Sequence, residues 1–343
     1  MLYIFNSGTK PLYRTNMMNT LYLPSGCSNE YRYGERNLDR HICDQPDIIP
    51  IGEQCLFIFI DRYHVGSYQF IPVREGHLIK RAKADDQVIF TLKLDKYLFS
   101  SNLVEFGNQL SKMITIDDLP HLVNGDPDNT NDGKYAIYMP KQSLSSLSLE
   151  ISDSSWFRTV ELVSRSKVFT EYEKPVFIRC EVTDFKDKTL SFDSSSYIKL
   201  KRSSHYIVRF HYRQPNTQPK DLKTTRVSIE STDNLSWGLN KYLLIDSNNN
   251  TVTNDFYTTP YPDDCPDSFI LSIEDTGYLI PSSPVNIKVL RPRFIVILVA
   301  VILWALASCI TTLTPIIVLK LILSMSQAVI LLFLFIYVGK KPF

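Results

Sequence analysis

Two long apolar runs close the chain, and they constrain it more than any other feature. Residues 294–310 read FIVILVAVILWALASCI and carry no charge. Residues 316–338 read IIVLKLILSMSQAVILLFLFIYV, with Lys320 as their one charge. Each run is near the roughly 20 residues that cross a hydrocarbon core, where only a helix satisfies its own backbone. Pro315 falls between them, where a missing N–H does least harm. The sequence therefore predicts a C-terminal two-helix transmembrane hairpin over residues 291–343, with helices at about 294–312 and 316–338. Arg291 and Arg293 flank one side, Lys340 and Lys341 the other, and the turn is uncharged. Cations stay on the cytoplasmic side. The expectation is a multi-pass inner-membrane protein with both termini cytoplasmic.

Within the second run, Lys320, Ser324 and Gln327 are spaced four and three apart, on one helical face. A polar stripe is costly in lipid unless it meets protein or water. In one reading several hairpins assemble as a homo-oligomer and this face lines a pore. In the other, Lys320 snorkels to the interface and Gln327 bonds a neighbouring helix. Both readings stay open.

The net charge of +1 conceals a split. Five of the 37 basic residues lie in the acid-free tail from Arg291, which leaves 32 against 36 acidic residues in the first 290, a net of −4. An acidic body argues against extended nucleic-acid binding. The six cysteines are widely spaced without a CxxC, as free thiols of a reducing compartment would be. The first ten residues lack a basic region followed by an apolar run, so no signal peptide is expected.

The body reads as mainly β. Residues 1–140 form a β-rich N-terminal sensor domain, with strand-like runs at 2–5, 55–60, 68–73 and 87–94 and a helix at 100–113. Residues 141–155 are a Ser-rich linker. Residues 156–290 show strands at roughly ten-residue intervals (157–163, 176–182, 196–200, 206–212, 226–230, 242–246, 269–273, 285–290), the pattern of an immunoglobulin-like β-sandwich.

Three polar-aromatic groupings are candidate ligand sites. Along residues 205–213, His205, Arg209, His211 and Arg213 share one face of a period-two strand, either as a solvated surface or as a groove for an anion. Tyr31, Arg32, Tyr33 and Arg36 combine rings that stack bases with cations that hold phosphates. Lys80, Arg81 and Lys83 form the third. The loop at 124–134 fails the calcium-loop spacing, and no metal or cofactor is expected. Asp39, His41 and Cys43 would fall on one strand face, aimed in parallel rather than at each other. No nucleophile–base or nucleotide-binding motif occurs, so the chain is expected not to be an enzyme.

The layout of sensor, sandwich and the two terminal runs quoted above resembles the membrane effectors of bacterial antiphage systems, and among them the Hailong membrane effectors. The resemblance implies an oligomeric ion channel in the lipid bilayer, gated by a nucleotide-derived ligand from a partner nucleotidyltransferase, whose opening depolarises the cell in abortive antiphage defence. The alternative is a membrane-tethered binding or scaffold protein, with the hairpin as an anchor only.

Overall fold

The computed structural model describes residues 1–7, 11–64, 67–114, 134–170, 176–190, 197–213, 225–238, 242–245, 250–260, 262, 266–272, 284–290, 301–306, 308–310 and 324–329. Seven strands build the first sheet: β1 (Leu2–Asn6), β2 (Ser28–Gly34), β3 (Gln54–His64), β4 (Ser67–Ala84), β5 (Gln87–Phe99), β6 (Ala136–Tyr138) and β7 (Glu150–Ile151). Their order is β2-β5-β4-β3-β1-β6, with β7 also on β5. Among the described strands of this sheet only the β1–β3 pair is parallel. Five described α-helices accompany them: α1 (Pro11–Tyr22), α2 (Arg40–Asp44), α3 (Leu103–Met113), α4 (Trp156–Ser164) and α5 (Lys167–Thr170).

Nine further strands follow: β8 (Val176–Asp184), β9 (Ile198–Lys201), β10 (His205–Arg213), β11 (Thr225–Ser231), β12 (Leu235–Trp237), β13 (Tyr242–Ile245), β14 (Thr251–Thr258), β15 (Asp267–Ser272) and β16 (Val285–Leu290). They form two sheets, β12-β14-β10-β8 and β13-β11-β15-β16-β9. Alternation explains their pairing. Tyr206, Val208, Phe210 and Tyr212 of β10 are all buried while the residues between them are half-buried. Phe269 of the second sheet meets Phe210, Trp237 and Phe256 of the first with ring centroids 5.4–6.3 Å apart. Aromatic pairs at such spacing give a sandwich core its specificity.

Helix α1 wedges between the seven-stranded sheet and β8. Pro11 opens it, where its missing N–H costs nothing. Tyr22 stacks on Phe210 at 6.3 Å and meets Phe177 edge-on at 6.5 Å. The helix ends on Arg74 of β4, whose side chain is fully buried. Arg74 Nη1 donates to the carbonyls of Thr20 (3.0 Å) and Leu23 (2.6 Å), and Nε and Nη2 both donate to the Asp95 carbonyl (3.1 and 2.6 Å). A cation at the negative end of a helix dipole, bonded to carbonyls that lack intrahelical partners, locks α1 onto the sheet.

The expected transmembrane hairpin does not stand among the described residues. Among the described residues no helix is long and apolar enough to cross a membrane. The described helical stretches there are 301–306, 308–310 and 324–329. Apolar composition is necessary for a membrane helix, but continuous helical length decides it. The reading as a multi-pass inner-membrane protein is corrected accordingly. Lys320 lies outside the described residues, Ser324 is exposed, and Gln327 Nε2 donates to Ser308 Oγ at 3.0 Å.

Two local expectations are also corrected. The strand expected at 157–163 is helix α4, with Thr159, Val160, Val163 and Ser164 buried at helical spacing. Asp39, His41 and Cys43 do not lie on a strand; Asp39 caps α2 by accepting the His41 N–H at 3.0 Å. The five described cysteines are free thiols, and the loop at 124–134 lies almost wholly outside the described residues.

Candidate ligand-binding site

Register aligns three strands so that one polar face forms on the first sandwich sheet. Arg209 pairs with Glu181 of β8 and Thr253 of β14, and His211 pairs with Arg179 and Thr251. Glu181 is the hub. Its Oε2 lies 3.2 Å from His211 Nε2 and 3.9 Å from Arg209, and its Oε1 accepts from Arg179 at 2.6 Å. The His211 hydrogen bond, followed by the two arginine charges, holds the Glu181 carboxyl below the usual range. Arg209 also reaches Asp187 at 3.6 Å. The face is therefore neither bare nor solvated, because α4 covers part of it. Trp156 packs on the His211 ring at 5.3 Å, and Arg213 Nη1 donates to Ser164 Oγ at 3.0 Å.

Arg179 is the residue that sequence reasoning missed. Its guanidinium lies 4.4 Å from the Trp156 ring centre and 5.9 Å from that of Tyr97. Nη2 is taken by Glu181, but Nη1 is buried and has no hydrogen-bond partner among the described residues. An unmet buried donor costs about 1–3 kcal/mol, more when charged, so a native fold that keeps one needs a reason. Beside it opens a cavity of about 240 Å³ lined by Ser25, Tyr97, Arg179, Glu181, Thr189 and Leu190, where the end of β5 meets β8. Strand alternation alone could have flagged Arg179, which shares the phase of Glu181, but its neighbours come from distant chain segments.

The remaining candidate residues fall elsewhere. His205 stacks on Tyr257 at 4.6 Å and its Nε2 lies 3.2 Å from Asp255, at the far end of β10. Tyr31 and Tyr33 are buried, opposite Phe90 and Val88 of β5, and cannot receive a stacked base. Burial pushes the Tyr31 hydroxyl up to about 12. Alternation turns Arg32 outward, where it pairs with Glu30 at 2.8 Å. Arg32 and Arg36 line a separate open cleft with Tyr13, Glu35 and Asp86, so cations and anions balance there. Arg81 and Lys83 are tied to Asp47 and Glu35 at 2.8 and 3.1 Å. Among the described residues no cluster could hold a metal ion.

No protein-family model, curated protein or solved structure matches the chain.

Proposed function

We propose that this chain is a ligand-binding protein rather than an enzyme, and that it recognises a small polar molecule in the cavity between the seven-stranded sheet and the sandwich. One observation carries the reading: Arg179, whose buried Nη1 has no acceptor among the described residues, lines that cavity. Geometry adds support. Tyr97 and Ser25 come from one layer and Arg179 and Glu181 from the other, so an occupant would touch both and report its presence to each. The Arg179–Glu181–His211 network needs no reacting group, and its carboxylate is saturated by cations, which suits recognition better than proton transfer.

The test is a thermal-shift screen of the full chain against nucleoside monophosphates, amino acids, dicarboxylates, neutral sugars and polyamines. A compound that raises the Tm of the native chain but not that of Arg179→Met supports the reading. A panel with no such compound overturns it.

A further inference from the structure

The cavity carries information about the class of its occupant. We infer that it takes the oxyanion head of a small metabolite, a carboxylate or a phosphate monoester, with one oxygen accepting from the Arg179 guanidinium. The inference rests on the reading of this cavity as a ligand site and adds the ligand's charge and size.

Charge comes first. Arg179 lines the wall, and its buried Nη1 has no acceptor among the described residues. Behind Ser25 and Tyr97 stands a second guanidinium, Arg74, 4.2 Å from the Tyr97 ring centre and bonded to Ser25 Oγ at 2.9 Å. All the other acceptors of Arg74 are main-chain carbonyls and the Tyr97 hydroxyl, none of them anionic. The nearest side-chain carboxylate along β5, Asp95, is engaged by His77 Nδ1 at 2.5 Å. On the other wall Glu181 is shared among Arg179, Arg209 and His211. Asp187, the second anion on Arg209, is 73% exposed and so largely screened by water. Arg179 on the lining and Arg74 behind it thus outnumber Glu181, the one carboxylate of the lining, and an anionic acceptor restores the balance.

Shape comes second. Arg179 stacks on Trp156, which fixes the plane of its fork. A planar fork with one nitrogen taken offers the other to an in-plane oxygen, the geometry of arginine–oxyanion recognition. Ser25 and Thr189 supply hydroxyls on the same lining. Size comes third. The volume of about 240 Å³ lies below the range of about 300–1,000 Å³ that encloses drug-sized ligands. A head group fits inside, and anything as large as a dinucleotide would project out.

The experiment follows tryptophan emission and backbone amide shifts of the full chain during titration with four probes at constant ionic strength: acetate, methyl phosphate, acetamide and methylammonium. Acetate and methyl phosphate separate the two oxyanion sources. The inference expects one or both to saturate, with amide shifts at Ser25, Arg179 and Thr189. Arg179→Met should weaken that binding by about tenfold or more, the value of one charge-assisted bond. Arg179→Lys should retain part of it. Arg209→Gln should change it by less than about threefold, because a half-exposed charge outside the lining is screened. Thermal unfolding of each variant confirms that it is folded. Saturable binding of acetamide or methylammonium without either oxyanion overturns the charge class and leaves the cavity a ligand site. Silence from all four probes overturns both.

Discussion

The Arg74 guanidinium lies 4.2 Å above the centre of the Tyr97 ring, and the two side chains share the carbonyls that end α1. Tyr97 donates to the Leu21 carbonyl at 2.5 Å while Arg74 takes those of Thr20 and Leu23. A cation buried without a carboxylate is tolerated because the backbone acceptors are oriented before it arrives.

Removing Arg74 should therefore cost far more than its surface would suggest. Arg74→Met leaves several buried carbonyls unmet and should lower the unfolding free energy by about 3–5 kcal/mol. Arg74→Lys should recover part of that. Urea denaturation of the three proteins checks the order, and a Met variant as stable as the parent would refute the staple.

Gly76 tests the bulge beside Arg74. A Cβ at this position would stand 2.2 Å from the Lys93 carbonyl oxygen and 2.8 Å from a Phe57 ring carbon. Both neighbours are fixed in the sheet, so β4 and β5 would have to separate. Gly76→Ala should destabilise by about 2–4 kcal/mol, beyond the usual surface substitution. The same denaturation measurement decides it.

Two groups predict opposite pH responses. The Glu181 carboxyl is held low by His211 first, then by Arg179 and Arg209. A depressed acid stabilises the fold above its unfolded value, and that contribution is lost as pH falls through the folded value. His77 is raised above 6.5 by its hydrogen bond to Asp95, with Glu75 adding and burial and Lys93 opposing. Its contribution is complete below 6.5 and fades as pH rises through the folded value. Glu181→Gln should flatten the acid limb of the stability–pH curve, and His77→Gln the limb above 6.5. Thermal melts across pH 3–9 (a range of roughly the side-chain values involved) would show whether each limb moves with its own variant.

Tyr31 separates a core role from a binding role. Its hydroxyl bonds Thr20 Oγ1, and its ring packs 5.6 Å from Phe57. Tyr31→Phe should cost about 1 kcal/mol in stability and leave the ligand response of the cavity unchanged. Loss of that response at unchanged stability would restore the tyrosine to the binding surface.

Much of the strand pattern was legible before any coordinates. The alternation in β10 announces one buried and one polar face, and the same rule places Tyr31 and Tyr33 inward and Arg32 outward. The composition of rings and cations suggests a binding surface there, whereas the strand phase puts the rings in the core. Helix α1 was harder, because Asn16, Asn19 and Thr20 are buried along with Met17, Met18 and Leu21, and no apolar stripe marks it. Helix α4 was misread as a strand because its apolar residues suit either period over so short a span.

What the sequence determined by itself is local: which side of each strand is apolar, where turns fall, and that the C-terminal runs are apolar. What the tertiary structure decided is the company each polar group keeps. Arg74 and Arg179 look alike as letters in two separate strand patterns, yet one is saturated by main-chain carbonyls and the other has a buried nitrogen with no acceptor among the described residues. That difference depends on acceptors and rings contributed from Thr20, Tyr97 and Trp156, dozens of residues away, and on the loss of water that would otherwise satisfy either arginine equally.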